Sequence, residues 1–293
     1  RITEVLGTMV DDGKLAIDNL RPLANELVDS VIRNPNAFAY LTHMENHHAG
    51  LLNYCVRVAT WAILMARHLD IKRDALNDLA VAALLCKIGY TTLDPSINEI
   101  RGTARREVEA ARQQSLHAGL EMLQSGTDFS SRVAKAVAHH LERHDGSGFP
   151  QGLKGRDIPF LAQVLGLADH YENITSYDFC DLPLSSADAI RHLNSIRDVL
   201  FDRCLIDEFI QAIGLYPTGS LVKLNGERMA MVLSQTPNAR LRPVVLVLEG
   251  KRSFWPFLGK RIIDLNASEK DRIEASLPAL PVESPLREKG WFR

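Results

Sequence analysis

Apolar positions recur at helical spacing over most of the first two-thirds of the chain. Residues 14–33 carry Leu15, Leu20, Leu23, Leu27, Val28 and Val31 near a 3.6-residue period, which predicts a helix. Val58, Ala62, Met65 and Leu69 form one stripe of a second helix at about 50–69. "DALNDLAVAALLCKIGY" is nearly all apolar after Asp78, so this helix is expected at the centre of the fold. "ARREVEAARQQSLHAGLEMLQ" is amphipathic with a charged outer side, "SSRVAKAVAHHLE" opens on capping serines, and "PFLAQVLGLADHYENITS" is another core helix. Residues 185–213 predict one or two more helices.

The period changes after "GLYPTGS". "SLVKL", "RMAMVLS", "RPVVLVLE" and "RIIDL" are short β-rich runs separated by turn residues such as Asn225-Gly226. The expected class is therefore mainly α: a helical bundle over 1–214, a small C-terminal β unit at 215–266, and a proline-broken tail at 267–293.

Composition narrows the function classes. The 293 residues are 46% hydrophobic and carry a formal net charge of −2, so no global basic field suggests a nucleic acid polymer as partner. No run approaches ~20 uninterrupted apolar residues, so no membrane span is expected. Cys55, Cys86, Cys180 and Cys204 lack any Cys-x-x-Cys spacing, which fits free thiols in a reducing cytoplasm. The chain begins at Arg1 rather than Met, so an upstream segment is expected.

The chemistry concentrates in "HHLERHDGSGFPQGLKG", residues 139–155. Paired histidines at the end of an apolar helix, followed by a rigid glycine loop, suit a metal site facing a pocket. Nine of the ten histidines lie between positions 43 and 170, and a hydrolytic metal site in a helical bundle draws His and Asp from several helices. His140 and Asp169 are the leading candidates, each on a helix with an apolar face. A charge on a core helix such as Asp169 needs a partner, which a metal ion or a buried base can supply. His43, His47 and His48 sit in a polar connection and read as solvated loop residues.

The stretch "HHLERHDGSGFPQGLKGRDIP", followed by "VLGLADHYENITS", resembles the HD-GYP family of bacterial cyclic di-GMP phosphodiesterases. "AALLCKIGY", "SLHAGLEML" and the β runs extend the resemblance over most of residues 1–266. It implies an HD-type helical bundle with a two- or three-metal centre of iron or manganese that hydrolyses cyclic di-GMP.

Carried over residue by residue, the family's ligand pattern is largely replaced. Tyr54 stands at the first histidine position, Cys86 and Lys87 at the His-Asp pair, and Ser115 at the next histidine, with His117 two residues further on. The paired histidines align in two ways. One makes His140 the first ligand and leaves Leu141 at the second; the other keeps both His139 and His140. Asp169 matches the final aspartate, and the Gly-Tyr-Pro triplet survives as Gly148-Phe149-Pro150 within a loop that also holds Asp145, Gly146, Ser147 and Gly152. An ammonium at Lys87 would repel a bound cation by roughly 4 kcal/mol per unit charge at ~4 Å and an effective dielectric of ~20. Pairing with Asp169 is the simpler arrangement.

The first reading is a module with no catalytic residues and no cofactor that acts through binding. The resemblance suggests a protein partner such as a diguanylate cyclase (GGDEF) domain, or a second copy of the chain. A second reading keeps an iron or manganese centre rearranged around His117, His139, His140, His144 and Asp169. A third keeps cyclic di-GMP as a bound but uncleaved ligand, with Arg143 and Lys154 on its phosphates. The loop from Asp145 to Gly155 is expected to be exposed, with Phe149 as an apolar anchor for a partner.

Overall fold

The computed structural model describes residues 10–11, 14–15, 20–36, 51–93, 105–125, 129–178, 180, 182–236, 239–248 and 261–279. A short hairpin pairs β1 (Val10–Asp11) with β2 (Lys14–Leu15). The helices that follow are α1 (Leu20–Arg33), α2 (Leu51–His68), α3 (Arg73–Leu85), α4 (Arg105–Ser125), α5 (Ser131–His139), α6 (Phe160–Thr175), α7 (Ser186–Ser195) and α8 (Arg203–Ile213). A short 3-10 turn, Ile88–Thr92, follows α3.

Helix α1 starts at Leu20, later than the expected 14. Pro22 explains the difference. In a helix begun at 14 it would sit in the interior, lacking an N–H and clashing with the preceding turn. In a helix begun at Leu20 it lies in the first turn, where no N–H is needed. Helix α3 is buried on nearly every side from Leu76 to Leu85, as its unbroken apolar run requires. It packs against α1, α2 and α5, while α2 also packs against α6 and α8. Ser130 caps α5 by accepting from the Val133 N–H, and Asp202 caps α8 through the N–H groups of Cys204 and Leu205. The bundle core includes Leu27, Ala59, Leu79, Val137, Leu165 and Ile206, all fully enclosed or nearly so.

The C-terminal unit is one antiparallel five-stranded sheet in the order β6-β5-β4-β3-β7. Its strands are β3 (Leu221–Leu224), β4 (Arg228–Ser234), β5 (Val244–Leu248), β6 (Arg261–Asp264) and β7 (Ile273–Leu277). Register places Val222 opposite Ala230 and Val232 opposite Val245. Val222, Leu224, Ala230, Val232, Val245 and Val247 form a second, separate core on one face. The expected tail at 267–293 is corrected here: its first part is β7, which pairs with β3. Strand pairing is possible because the proline-rich stretch begins only at Pro278, and Ile273 packs on the sheet's core. The Ser276 hydroxyl meets that of Ser186 at 3.0 Å, tying this edge strand to α7.

Candidate functional site

The N-terminal half of α2, the end of α3, the end of α5 and the middle of α6 bring the residues of interest together. Tyr54, Cys86, Lys87, Ser115, His140, Leu141 and Asp169 are all buried. Asp169 lies on a helix otherwise lined with Val164, Leu165, Leu167 and Ala168, so its charge cannot be met by solvent. Lys87 meets it. The Lys87 ammonium donates to Asp169 Oδ2 at 2.9 Å, and both side chains are 4% exposed. The Tyr54 hydroxyl donates to the other carboxylate oxygen at 2.9 Å and lies 3.1 Å from the Asp169 carbonyl oxygen.

The electrostatics follow from this packing. Burial alone would push the Asp169 carboxyl up, but Lys87 beside it, with His140 nearby, holds it well below the usual carboxylate range. Burial likewise works against the charge on Lys87, yet Asp169 raises its pKa above the ordinary lysine value. Both groups are therefore ionised. Burial, then Asp169, pushes the Tyr54 phenol well up, so Tyr54 stays a neutral donor. His140 is pushed down to about 4, first by burial and then by Lys87. Its Nδ1 lies 2.8 Å from the Val137 carbonyl oxygen, which fixes that nitrogen as the protonated one; Nε2 is buried without a hydrogen-bond partner among the described residues.

The other positions that the resemblance marks as replaced hold groups poorly suited to a hard cation. A hydrogen bond with Cys55, and then burial, raises the Cys86 pKa well above its ordinary value, so the thiol remains protonated rather than a thiolate ligand. Leu141 has no donor and packs in the core. The Ser115 carbonyl presses on the turn after α3. A Cβ at Gly89 would stand 1.9 Å from that oxygen, so only glycine lets α4 approach this closely. Asp169 already spends one oxygen on Lys87 and the other on Tyr54. A divalent ion needs several free N or O donors, and these residues do not provide them.

The remaining histidines disperse. His139 is partly buried with Nδ1 3.8 Å from Glu142 Oε1, too long for a hydrogen bond. His117 stacks edge-on against Phe149 at 5.1 Å. His144 is tied by its backbone to the segment before α8, donating to the Leu200 carbonyl at 3.0 Å. His43, His47 and His48 lie outside the described residues.

The glycine loop is less exposed than its composition suggests. Asp145, Ser147, Gln151 and Lys154 are exposed, while Gly146, Gly148, Phe149, Pro150 and Gly152 are partly covered. Glu142 is the reason. Its carboxylate is buried and accepts the Gln151 N–H at 2.8 Å and the Leu153 N–H at 3.0 Å, folding the loop back on the end of α5. The Phe149 N–H donates to the Leu141 carbonyl at 3.2 Å, and a Cβ at Gly148 would stand 2.2 Å from the Arg143 backbone nitrogen. Arg143 donates to the carbonyls of His140 and Glu142 and lies over the Phe201 ring at 5.1 Å; burial lowers its pKa to about 10.

These elements, their order and the glycine loop can be set against known proteins. Residues 39–205 match the HD domain family. The chain belongs to that family. The HD-GYP resemblance read from the loop holds as well. The chain is 32% identical to the cyclic di-GMP phosphodiesterase PA4108 of Pseudomonas aeruginosa, over 88% of this chain and 62% of that protein. It is 25% identical to the cyclic di-GMP phosphodiesterase response regulator RpfG of Xanthomonas campestris, over 57% of this chain and 45% of the relative. It thus spans less than two thirds of the length of these relatives. The solved structure of Bd1817, an HDG"Y"P protein from Bdellovibrio bacteriovorus, shares the fold with a TM-score of 0.58 at 20% identity, covering 72% of this chain and 67% of that one.

One buried network was not foreseen from sequence. Arg57 on α2 donates to Glu172 on α6 at 2.5 Å and also to Asp178, while the Trp61 indole N–H donates to the second Glu172 oxygen at 2.9 Å. It clamps α2 against α6 beside the site. Its signal in the sequence was a second acid, Glu172, three residues after Asp169 on the same apolar helix.

Proposed function

We propose that this chain is an HD-GYP module that has exchanged metal-dependent hydrolysis for binding, and that it serves cyclic di-GMP signalling in the bacterial cytoplasm. The observation that carries the reading is the Lys87–Asp169 ion pair at 2.9 Å. A lysine at this position supplies the positive charge that a metal would bring, so the remaining carboxylate is neutralised without one. Hydrolysis of a phosphodiester by this family's route needs water activated by a cation that several fixed donors hold. Tyr54, Cys86, Lys87, Ser115 and Leu141 leave too few donors of that kind.

Binding then falls to the surface that the fold retains. The loop clamped by Glu142 presents the partly covered Phe149 and Pro150 between exposed polar residues, a shape suited to an apolar anchor with a polar rim. The partner we favour is a diguanylate cyclase (GGDEF) domain, because the curated relatives are named for cyclic di-GMP turnover. Among the described residues no helix is long and apolar enough to cross a membrane.

The test is a binding titration of purified chain against a diguanylate cyclase domain. Phe149→Ala is expected to weaken binding at least tenfold with a small change in thermal midpoint, since the ring is already partly exposed. Equal binding by wild type and variant would remove the loop from the interface. Titration with cyclic di-GMP in the same experiment distinguishes a sensor: saturable binding without turnover, lost on substitution of the exposed Lys154 (Lys154→Ala), would favour the nucleotide-holding reading.

A further inference from the structure

The C-terminal end of α2, the end of α8 and the entry to the β unit enclose a cavity of about 440 Å³, within the usual range of small-molecule sites, about 300–1,000 Å³. It is separate from the centre around Lys87 and Asp169. Arg67, on its wall, lies roughly 20 Å further along α2 than Tyr54. Hydrogen bonds fix the walls to one another. The Thr218 hydroxyl donates to Asn36 Oδ1 at 2.8 Å, joining the residues after α1 to the entry of the sheet. Gln235 Nε2 donates to the Ile213 carbonyl at 3.4 Å and to the Tyr216 carbonyl, joining the residue after β4 to the turn that ends α8.

The charge of the lining is one-sided. Arg67 and Arg240 both border the cavity and are exposed, and no aspartate or glutamate is among the described residues that line it. Among the described residues Arg67 has no hydrogen-bond or ion-pair partner, and Arg240 commits only Nη1, to the Gln211 carbonyl. His68 is already matched by Glu208 at 3.0 Å. The end of a helix presents carbonyls that repel an anion, but here they are taken. That of Ile210 accepts the Gly214 N–H at 2.9 Å, that of Gln211 accepts Arg240, and that of Ile213 accepts Gln235. Leu64, Ile213 and Pro217 add apolar surface to the same lining.

We propose that this cavity binds a phosphate monoester with a ring body, of nucleoside-monophosphate size, its phosphate on Arg67 and Arg240 and its ring on Leu64, Ile213 and Pro217. Guanidinium forks suit phosphate oxygens. A phosphate monoester carries about −1.5 to −2 near pH 7 and so matches two arginines, whereas a carboxylate leaves one of them unanswered. The volume leaves room for a body beyond the phosphate, and the apolar side chains give a ring a surface to lie on. Arg67 belongs to the bundle and Arg240 to the β unit, so a ligand held by both ties the two together. The site is independent of partner binding at the glycine loop.

Full chain is titrated calorimetrically with GMP and, in parallel, with guanosine and with inorganic phosphate. Wild type is expected to bind one equivalent of GMP, at least tenfold more tightly than either fragment, and to gain thermal stability with it. Arg67→Gln and Arg240→Gln should each weaken GMP binding at least tenfold. Both positions are exposed, so the midpoint without ligand should stay that of wild type. Gln211→Trp, at another exposed position of the lining, should weaken binding by filling the cavity with no change of charge, which a merely cationic surface would not register. Arg156→Gln, equally exposed but outside the lining, and Phe149→Ala should leave affinity unchanged. Absence of GMP binding by wild type up to millimolar ligand, or equal binding by wild type and Arg67→Gln, overturns the site and leaves the proposed function standing. Equal affinity for inorganic phosphate and GMP overturns it as well, since the ring would then contribute nothing. GMP binding that Phe149→Ala abolishes and Arg240→Gln does not would move the ligand to the glycine loop.

Discussion

Replacing Lys87 with methionine keeps the volume of the side chain and removes its charge. Asp169 then remains 3% exposed, and among the described residues the Tyr54 hydroxyl is the side-chain hydrogen bond left to it. At the observed 2.9 Å, two unit charges attract by roughly 6 kcal/mol at an effective dielectric of ~20. Part of this is returned because the ammonium no longer has to be desolvated. Loss of one partner from a buried pair costs about 3–5 kcal/mol. For a domain of this size that corresponds to a fall in midpoint of roughly 6–20 °C. Urea unfolding followed by circular dichroism measures it.

The double variant Lys87→Met with Asp169→Leu should recover most of the loss, because no unpaired charge is left in the core. The pH dependence adds a signature. In wild type the Asp169 pKa is depressed, so its stabilising contribution is present above the ordinary carboxylate value of about 4 and is lost as pH falls below it. Without Lys87 the folded-state pKa rises, so the variant's deficit should shrink as the pH is lowered toward about 4. A Lys87→Met protein within ~0.5 kcal/mol of wild type at pH 7 would refute the view that this ion pair stands in for the metal.

Two further outcomes follow from the same neighbourhood. Glu142→Gln exchanges two charge-assisted hydrogen bonds at 2.8 and 3.0 Å for weaker ones, at a cost of roughly 1.5–3 kcal/mol, and hydrogen exchange at the Gln151 and Leu153 amides should accelerate; unchanged protection there would show that the loop holds its shape without the clamp. His140, pushed down to about 4 from 6.5, stays neutral in the fold while the unfolded chain takes up a proton, so stability should fall by about 3 kcal/mol as pH drops from about 6.5 to about 4; a His140→Gln variant with the same slope in its pH–stability curve would assign that loss to another group.

The chain's patterning made the architecture readable in advance, and the exceptions have local causes. Unbroken apolar runs and capping serines marked α3 and α5 because burial and capping act over a few residues. The start of α1 was misplaced because periodicity continued through residues where Pro22 forbids a helix interior. Strand β7 was missed because its pairing with β3 is non-local, and "DRIEASL" carries polar residues that suit an edge. Charge logic placed Lys87 beside Asp169, since a lone acid on an apolar helix leaves few alternatives. Nothing local announced that Glu142 would turn inward to bind the loop backbone, or that the backbone of His144 would be tied to Leu200. Both outcomes depend on how the glycine loop folds back, which is set by close backbone approaches at positions such as Gly148.

The most direct test of the central claim is hydrolysis itself. Purified protein is incubated with cyclic di-GMP and added iron(II) or manganese(II), with His140→Ala in parallel, and linear and mononucleotide products are followed by chromatography. The account predicts no product above the protein-free control in either sample. Metal-dependent turnover by wild type that disappears in His140→Ala would contradict it and establish a working centre around His140 and Asp169.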